Sequence, residues 1–150
     1  MDSTTLQAES ATLILPLFDE TTAWQLGQTL VAIAQAENLA IVINIRTANR
    51  TLFHAAMPGS AALNDHWARR KSNTALMFGF ASFLVGARHR EKGETLARHG
   101  LDPADYADNG GAVPIVTPSG MVAVCTVSGL PQADDHALVV RAIQQIKARA

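Results

Sequence analysis

Cysteine is nearly missing from this chain. Cys125 is the only one in 150 residues, so no internal disulfide can form. It lies in the apolar run "VAVCTV", where a buried, reduced thiol is expected and not a reactive one. Net charge is nearly missing too. The 12 Lys and Arg against 13 Asp and Glu leave −1, which excludes a global field able to hold nucleic acid or an anionic membrane. The local basic runs, "RRK" at 69–71 and "RHREK" at 88–92, read as solvated helix ends. No apolar stretch is long enough for a membrane span. The uncharged run from Ser72 to Ala87 is too short and carries Ser72, Asn73, Thr74 and Ser82. The opening "MDSTTLQAES" has neither a basic nor an apolar leader segment, so no secretion signal is read and a soluble cytoplasmic protein is expected.

Metal and phosphate motifs are also lacking. His54, His66, His89, His99 and His136 show no H-x-x-x-H or H-E-x-x-H spacing. "DNGGAVP" (108–114) places its glycines before a strand, not between a strand and a helix, and has no phosphate-loop lysine.

What is present suffices for a core. Hydrophobic residues make up 48% and charged ones 17%, without repeats or linkers, so residues 1–150 read as one domain. "ATLILPL" (11–17) reads as an edge strand ended by proline. Asp19 caps a helix that carries Ala23, Leu26, Leu30, Ile33 and Ala34 at helical spacing and ends near Asn38. Residues 41–56 alternate as a hairpin about "TANR". One long helix is expected from Leu63 or Asn64 to Lys92, apolar on both faces at its centre, with the surplus face shared with another subunit. A second hairpin pairs Val113–Val116 with Met121–Ser128, and a last helix runs from Pro131 to Arg149. The order β-α-β-β-α-β-β-α predicts an α+β domain with a five-stranded, mainly antiparallel sheet.

Two stretches carry candidate chemistry. In "NDHWARRKSN", Asn64, Trp67 and Lys71 share one helix face, and His66, Arg70 and Asn73 a neighbouring one. Trp67 with Lys71 and Arg70 can bind an anionic, partly planar ligand; the same pattern also serves an amphipathic helix start. In "VSGLPQADDH", Ser128, two carboxylates and His136 look like a compressed triad. Neighbours on a helix start diverge in direction, however, so no triad is read. Asp135 instead heads the buried face of Val139, Ala142, Ile143 and Ile146 and needs a partner, either backbone amides or a cation such as Lys71 or Arg70. His136 lies at the edge of that face.

The combination "MPGSAALNDHWARRKSN", "NGGAVPI" and "SGMVAVCTVSGLPQADDHALVV" resembles the UPF0303 family, within the superfamily of GlcG-like and HbpS-like haem-degrading domains, over nearly the whole chain. The resemblance implies a profilin-like three-layer α/β/α fold with a five-stranded antiparallel sheet. It also implies homo-oligomers, dimers assembled into octamers or decamers. Carried over by motif, it implies a small-ligand pocket lined by Trp67, Lys71, Gly110, Gly111, Ser128, Asp135 and His136, with haem as the suspected cofactor. Arg70 and Lys71 would hold propionates and His66 or His136 the iron. The family pattern often has a histidine before the double glycine, where this chain has Asn109; His54, His66 or His136 would then have to replace it. Two alternatives stand beside haem binding. One is a non-enzymatic oligomeric module for a small anion or a partner protein. The other is an enzyme on a small carboxylate or phosphate using Lys71, Asp135 and His136. No complete catalytic set decides whether the chain is an enzyme.

Overall fold

Local signals account for most of the elements. The computed structural model describes all 150 residues. Helix α1 (Ser3–Ala11) is capped by Asp2, which accepts from the Thr5 N–H at 2.8 Å. It buries only Leu6, and a single apolar residue leaves no periodicity to read in the sequence. Helix α2 (Glu20–Glu37) begins and ends as expected. Asp19 accepts from the Thr22 N–H at 2.9 Å, the Thr22 hydroxyl accepts from the Asp19 N–H, and Asn38 closes the helix at φ 54°.

Strands β1 (Val42–Arg46) and β2 (Thr51–Ala56) form the first hairpin, and β3 (Ala112–Thr117) and β4 (Gly120–Ser128) the second. The sheet order is β2-β1-β4-β3 with every pair antiparallel, so it has four strands and not the expected five. The segment read as the fifth strand runs beside β3 and buries Leu13 and Leu15. It makes one sheet-like bond, from the Leu15 N–H to the Val116 carbonyl at 2.8 Å. Pro16 has no N–H to extend the ladder.

The expected long helix is two helices. Helix α3 (Ala62–Phe78) stops at Gly79, which adopts φ 73°, and α4 (Ser82–Lys92) starts afresh. This break divides the surplus apolar surface between two helices. The two halves turn to different layers: Ala75 and Leu76 of α3 meet Ala112 and Val124 on one face of the sheet. Phe83, Leu84 and Ala87 of α4 join the main core on the other side. There Ile43, Ile45, Cys125 and Val127 pack against α2 and against Val139, Ile143 and Ile146 of α5 (Gln132–Arg149). Alternation along the strands thus gives three layers: α3, the sheet, and α2 with α5. Pro131 stands one residue outside α5, as its cap residue.

Gly79 and Gly86 separate two roles of glycine. A Cβ on Gly79 meets nothing within 4 Å, so Gly79→Ala carries only the left-handed backbone cost of about 1–2 kcal/mol. A Cβ on Gly86 would lie 2.0 Å from the Asp108 carbonyl oxygen. Backbone must move there, and Gly86→Ala should lower the urea midpoint clearly more than Gly79→Ala does. Equal midpoints would refute this assignment.

Candidate functional site

The centre of the site is a buried ion pair made at the end of the sheet. Strand β4 ends at Ser128, and Gly129 turns the chain at φ 148°, close under the Ala40 carbonyl. Helix α5 then starts, and Asp135 falls on its inward face at 1% exposure. Lys71 reaches it from α3. The Lys71 Nζ lies 2.9 Å from Asp135 Oδ2 and donates also to the Val127 carbonyl at 3.3 Å. The carboxylate accepts in addition from the Leu130 N–H at 2.9 Å and the Gly129 N–H at 3.3 Å. Lys71 is therefore the cation that the inward carboxylate requires; Arg70 is not, and the amides come from the turn before the helix.

Burial dominates the electrostatics of both groups. Desolvation pushes the Lys71 ammonium below its ordinary pKa, partly offset by the Asp135 charge. Desolvation likewise pushes the Asp135 carboxyl up, against Lys71 and the two amides. Gly111 makes the crossing possible: at φ 141°, its Cβ would sit 2.8 Å from Lys71 Nζ and 2.4 Å from the Val127 carbonyl. Gly110 packs equally closely, and its N–H donates to Gln132 Oε1 at 2.9 Å. The double glycine thus gives room to the lysine and to the helix start.

A cleft of about 240 Å³ opens over the pair, with Lys71 and Asp135 below and Asn64, Trp67, Asn109, Ser128 and Gln132 around it. The face predicted from Asn64, Trp67 and Lys71 therefore converges on one cavity. Gln132 was not singled out in the sequence, although it stands three residues before Asp135 and hence on the same helix face.

Other candidates lie elsewhere. Arg70 turns outward, stacking over Trp67 at 4.4 Å and donating to the Pro103 carbonyl at 2.8 Å. His136 is buried but faces α1, with Nε2 2.6 Å from Glu9 Oε1. His66 is exposed on α3. The two residues read as iron ligands are thus not brought together, and neither lines the cleft. His54 bonds Asn44 and Asp65 on the sheet's α3 side. Burial pushes the Cys125 thiol far up, which makes it inert as a nucleophile. No helix is long and apolar enough to cross a membrane.

The family described as "haem degrading protein HbpS-like" matches residues 18–144. A UPF0303 protein of Streptomyces avermitilis is 44% identical over 146 residues, covering 96% of this chain and 90% of the relative. The crystal structure of Ybr137w protein superposes with a TM-score of 0.89 at 29% identity, over 99% of this chain and 89% of that one. A structure of a PduOC:heme complex shares the fold, with a TM-score of 0.72 at 19% identity over 85% of this chain and 93% of that one. The chain belongs to the UPF0303 family of HbpS-like haem-degrading domains.

The ion pair predicts strong non-additivity. Lys71→Met leaves a buried carboxylate without its cation and should cost about 3–5 kcal/mol in urea unfolding. Lys71→Met with Asp135→Leu should recover most of that loss, because no charge is left buried. A double variant as unstable as the sum of the single ones would contradict the pairing.

Proposed function

We propose that this chain is a homo-oligomeric ligand-binding protein of the haem-degrading class, and that the cleft over Lys71 and Asp135 receives a carboxylate of its ligand. The carrying observation is the partly used ammonium. Lys71 gives N–H donors to Asp135 and Val127, and an ammonium has three. The third is available to an anion in the adjoining cleft. The negative charge of Asp135 is already balanced by Lys71 and two amides, and the Asn64, Asn109 and Gln132 side chains add neutral polar groups around the ligand.

Haem fits this arrangement in part. About 240 Å³ suits a small carboxylate or one propionate, not a macrocycle, since sites enclosing drug-sized ligands begin near 300 Å³. In the haem reading, Lys71 and Arg70 hold propionates. His66 would be the iron ligand, since it is exposed one helical turn from Arg70 while His136 is spent on Glu9. Haem, when bound, supplies the redox-active iron. The second reading keeps the cleft and replaces haem by a small free carboxylate in a non-enzymatic module; the modest volume favours it.

Oligomerisation is supported by α3. Leu63 and Met77, 64% and 55% exposed, stand two heptads apart on one stripe that also passes Trp67. A second subunit covering that stripe would border the mouth of the cleft. The cytoplasmic location remains part of this proposal.

Titration with hemin and with succinate separates the readings. Both should change tryptophan fluorescence in the wild type and much less in Trp67→Phe. A Soret band distinct from free hemin, altered by His66→Ala, identifies haem as the ligand. A response to succinate alone identifies a small carboxylate. Silence toward both defeats the cleft as a carboxylate site. Light scattering at micromolar protein should give a mass above the 16.0 kDa of one chain; a monomer would refute the oligomer.

A further inference from the structure

Where α4 meets the segment before β3, three side chains from three segments meet. Gly86 and His89 lie three residues apart and share a helix face. Because Gly86 has no side chain, the backbone of Asp108 can lie directly on that face. Asp108 Oδ2 is thereby placed 2.8 Å from His89 Nδ1. With its Nδ1–H given to the carboxylate, the His89 ring turns the lone pair of Nε2 outward. That nitrogen meets His99 Nε2 at 3.1 Å. The ring centroids are 5.2 Å apart with 24° between planes. Phe78 stands edge-on to both rings, at 6.1 Å and 5.2 Å, and holds their orientation.

We infer that His89 and His99 are the protein ligands of a divalent transition-metal ion of the zinc class, with Asp108 as the buttress of His89. Two imidazoles on a tetrahedral ion at ordinary Zn–N distances have nitrogens about 3.3 Å apart. The observed 3.1 Å is a few tenths short of that spacing. On binding, His99 changes tautomer, its proton moving by way of water from Nε2 to Nδ1, so that both Nε2 atoms turn lone pairs to the ion and both rings stay neutral. The carboxylate–imidazole contact is the outer-shell arrangement that fixes the tautomer of a ligating histidine and raises its basicity.

Access and supporting groups agree with this site. His89 is 4% exposed while His99 lies at the surface, so the nitrogens meet at the mouth of a cavity of about 170 Å³ open to solvent. Glu94 lines the same cavity, paired with Arg98 at 3.2 Å, and water completes the coordination. Arg88 and Lys92 also line it and oppose the ion's charge. Arg88 is directed to Gln7 and the Phe80 ring. Two imidazole ligands select zinc, nickel or copper over magnesium or calcium. The ion clips the short 3₁₀ turn Leu96–His99 to α4.

The test titrates tag-free, chelator-treated protein with Co²⁺, followed by its visible bands, with Zn²⁺ as competitor. Wild type should bind one equivalent, and His99→Ala should abolish it. Asp108→Asn should weaken it about 10- to 100-fold. His54→Ala, outside the cavity, should bind as wild type. His89 is buried and its replacement endangers the fold; His99 is exposed, so its variant decides. Absence of saturable binding in wild type would overturn the site. Undiminished binding in His99→Ala, or loss in His54→Ala, would overturn it equally. None of these readouts depends on hemin or succinate.

Discussion

An ammonium and a carboxylate removed from water hold their place only where every surrounding group has been arranged for them, and the Lys71–Asp135 pair imposes that condition here. The pair joins α3 on one face of the sheet to α5 on the other, around the end of β4. It therefore fixes the two helical layers against each other at a single point. The turn at Gly129 must present its amides to Asp135, Gly111 must leave the lysine a path, and Gln132 must hold Gly110 in position. The cleft lies where these constraints meet, since a lysine with two protein acceptors at the end of a strand still has one donor directed elsewhere.

How far the site was legible in the sequence follows from which interactions are local. Asp19, Thr22 and Asn38 act within their own helix, so the ends of α2 could be read directly. The inward direction of Asp135 followed from the period of α5, and a cation on the Trp67 face was a short list of two. His136 sits at the edge of that same period, and a sequence period cannot resolve an edge position. Its direction is settled by Glu9, on the helix whose single buried leucine gave no pattern. One missed element thus misplaced one proposed ligand. Gly79 poses a different ambiguity: a glycine inside an apolar run is either tolerated or ends the helix, and only φ distinguishes the two. The missing fifth strand is a matter of one proline, which leaves Leu15 with a single bond to β3.

Family and geometry constrain function at different levels. Membership in the HbpS-like haem-degrading domains sets the chemistry to be tested first. The cleft of one chain sets a size limit on what it can enclose. These agree if the part of the ligand recognised by Lys71 is a carboxylate, which is common to haem and to small organic acids. The exposed Leu63 and Met77 flank the half-buried Trp67 on α3, beside the mouth of the same cleft, so the apolar surface next to the cleft extends beyond what one chain covers.

The connection between α4 and β3 ties the two sites together. Asp108 bonds His89, and Asn109, the next residue, borders the cleft over Lys71. Gly110 and Gly111 follow and pack against Gln132 and Lys71. A peptide unit fixed at both ends transmits displacement, because neighbouring Cα atoms keep a distance of about 3.8 Å. Asp108 is held at its carboxylate by His89 and at its carbonyl by the close approach to Gly86, so both contacts together set where Asn109 stands at the cleft.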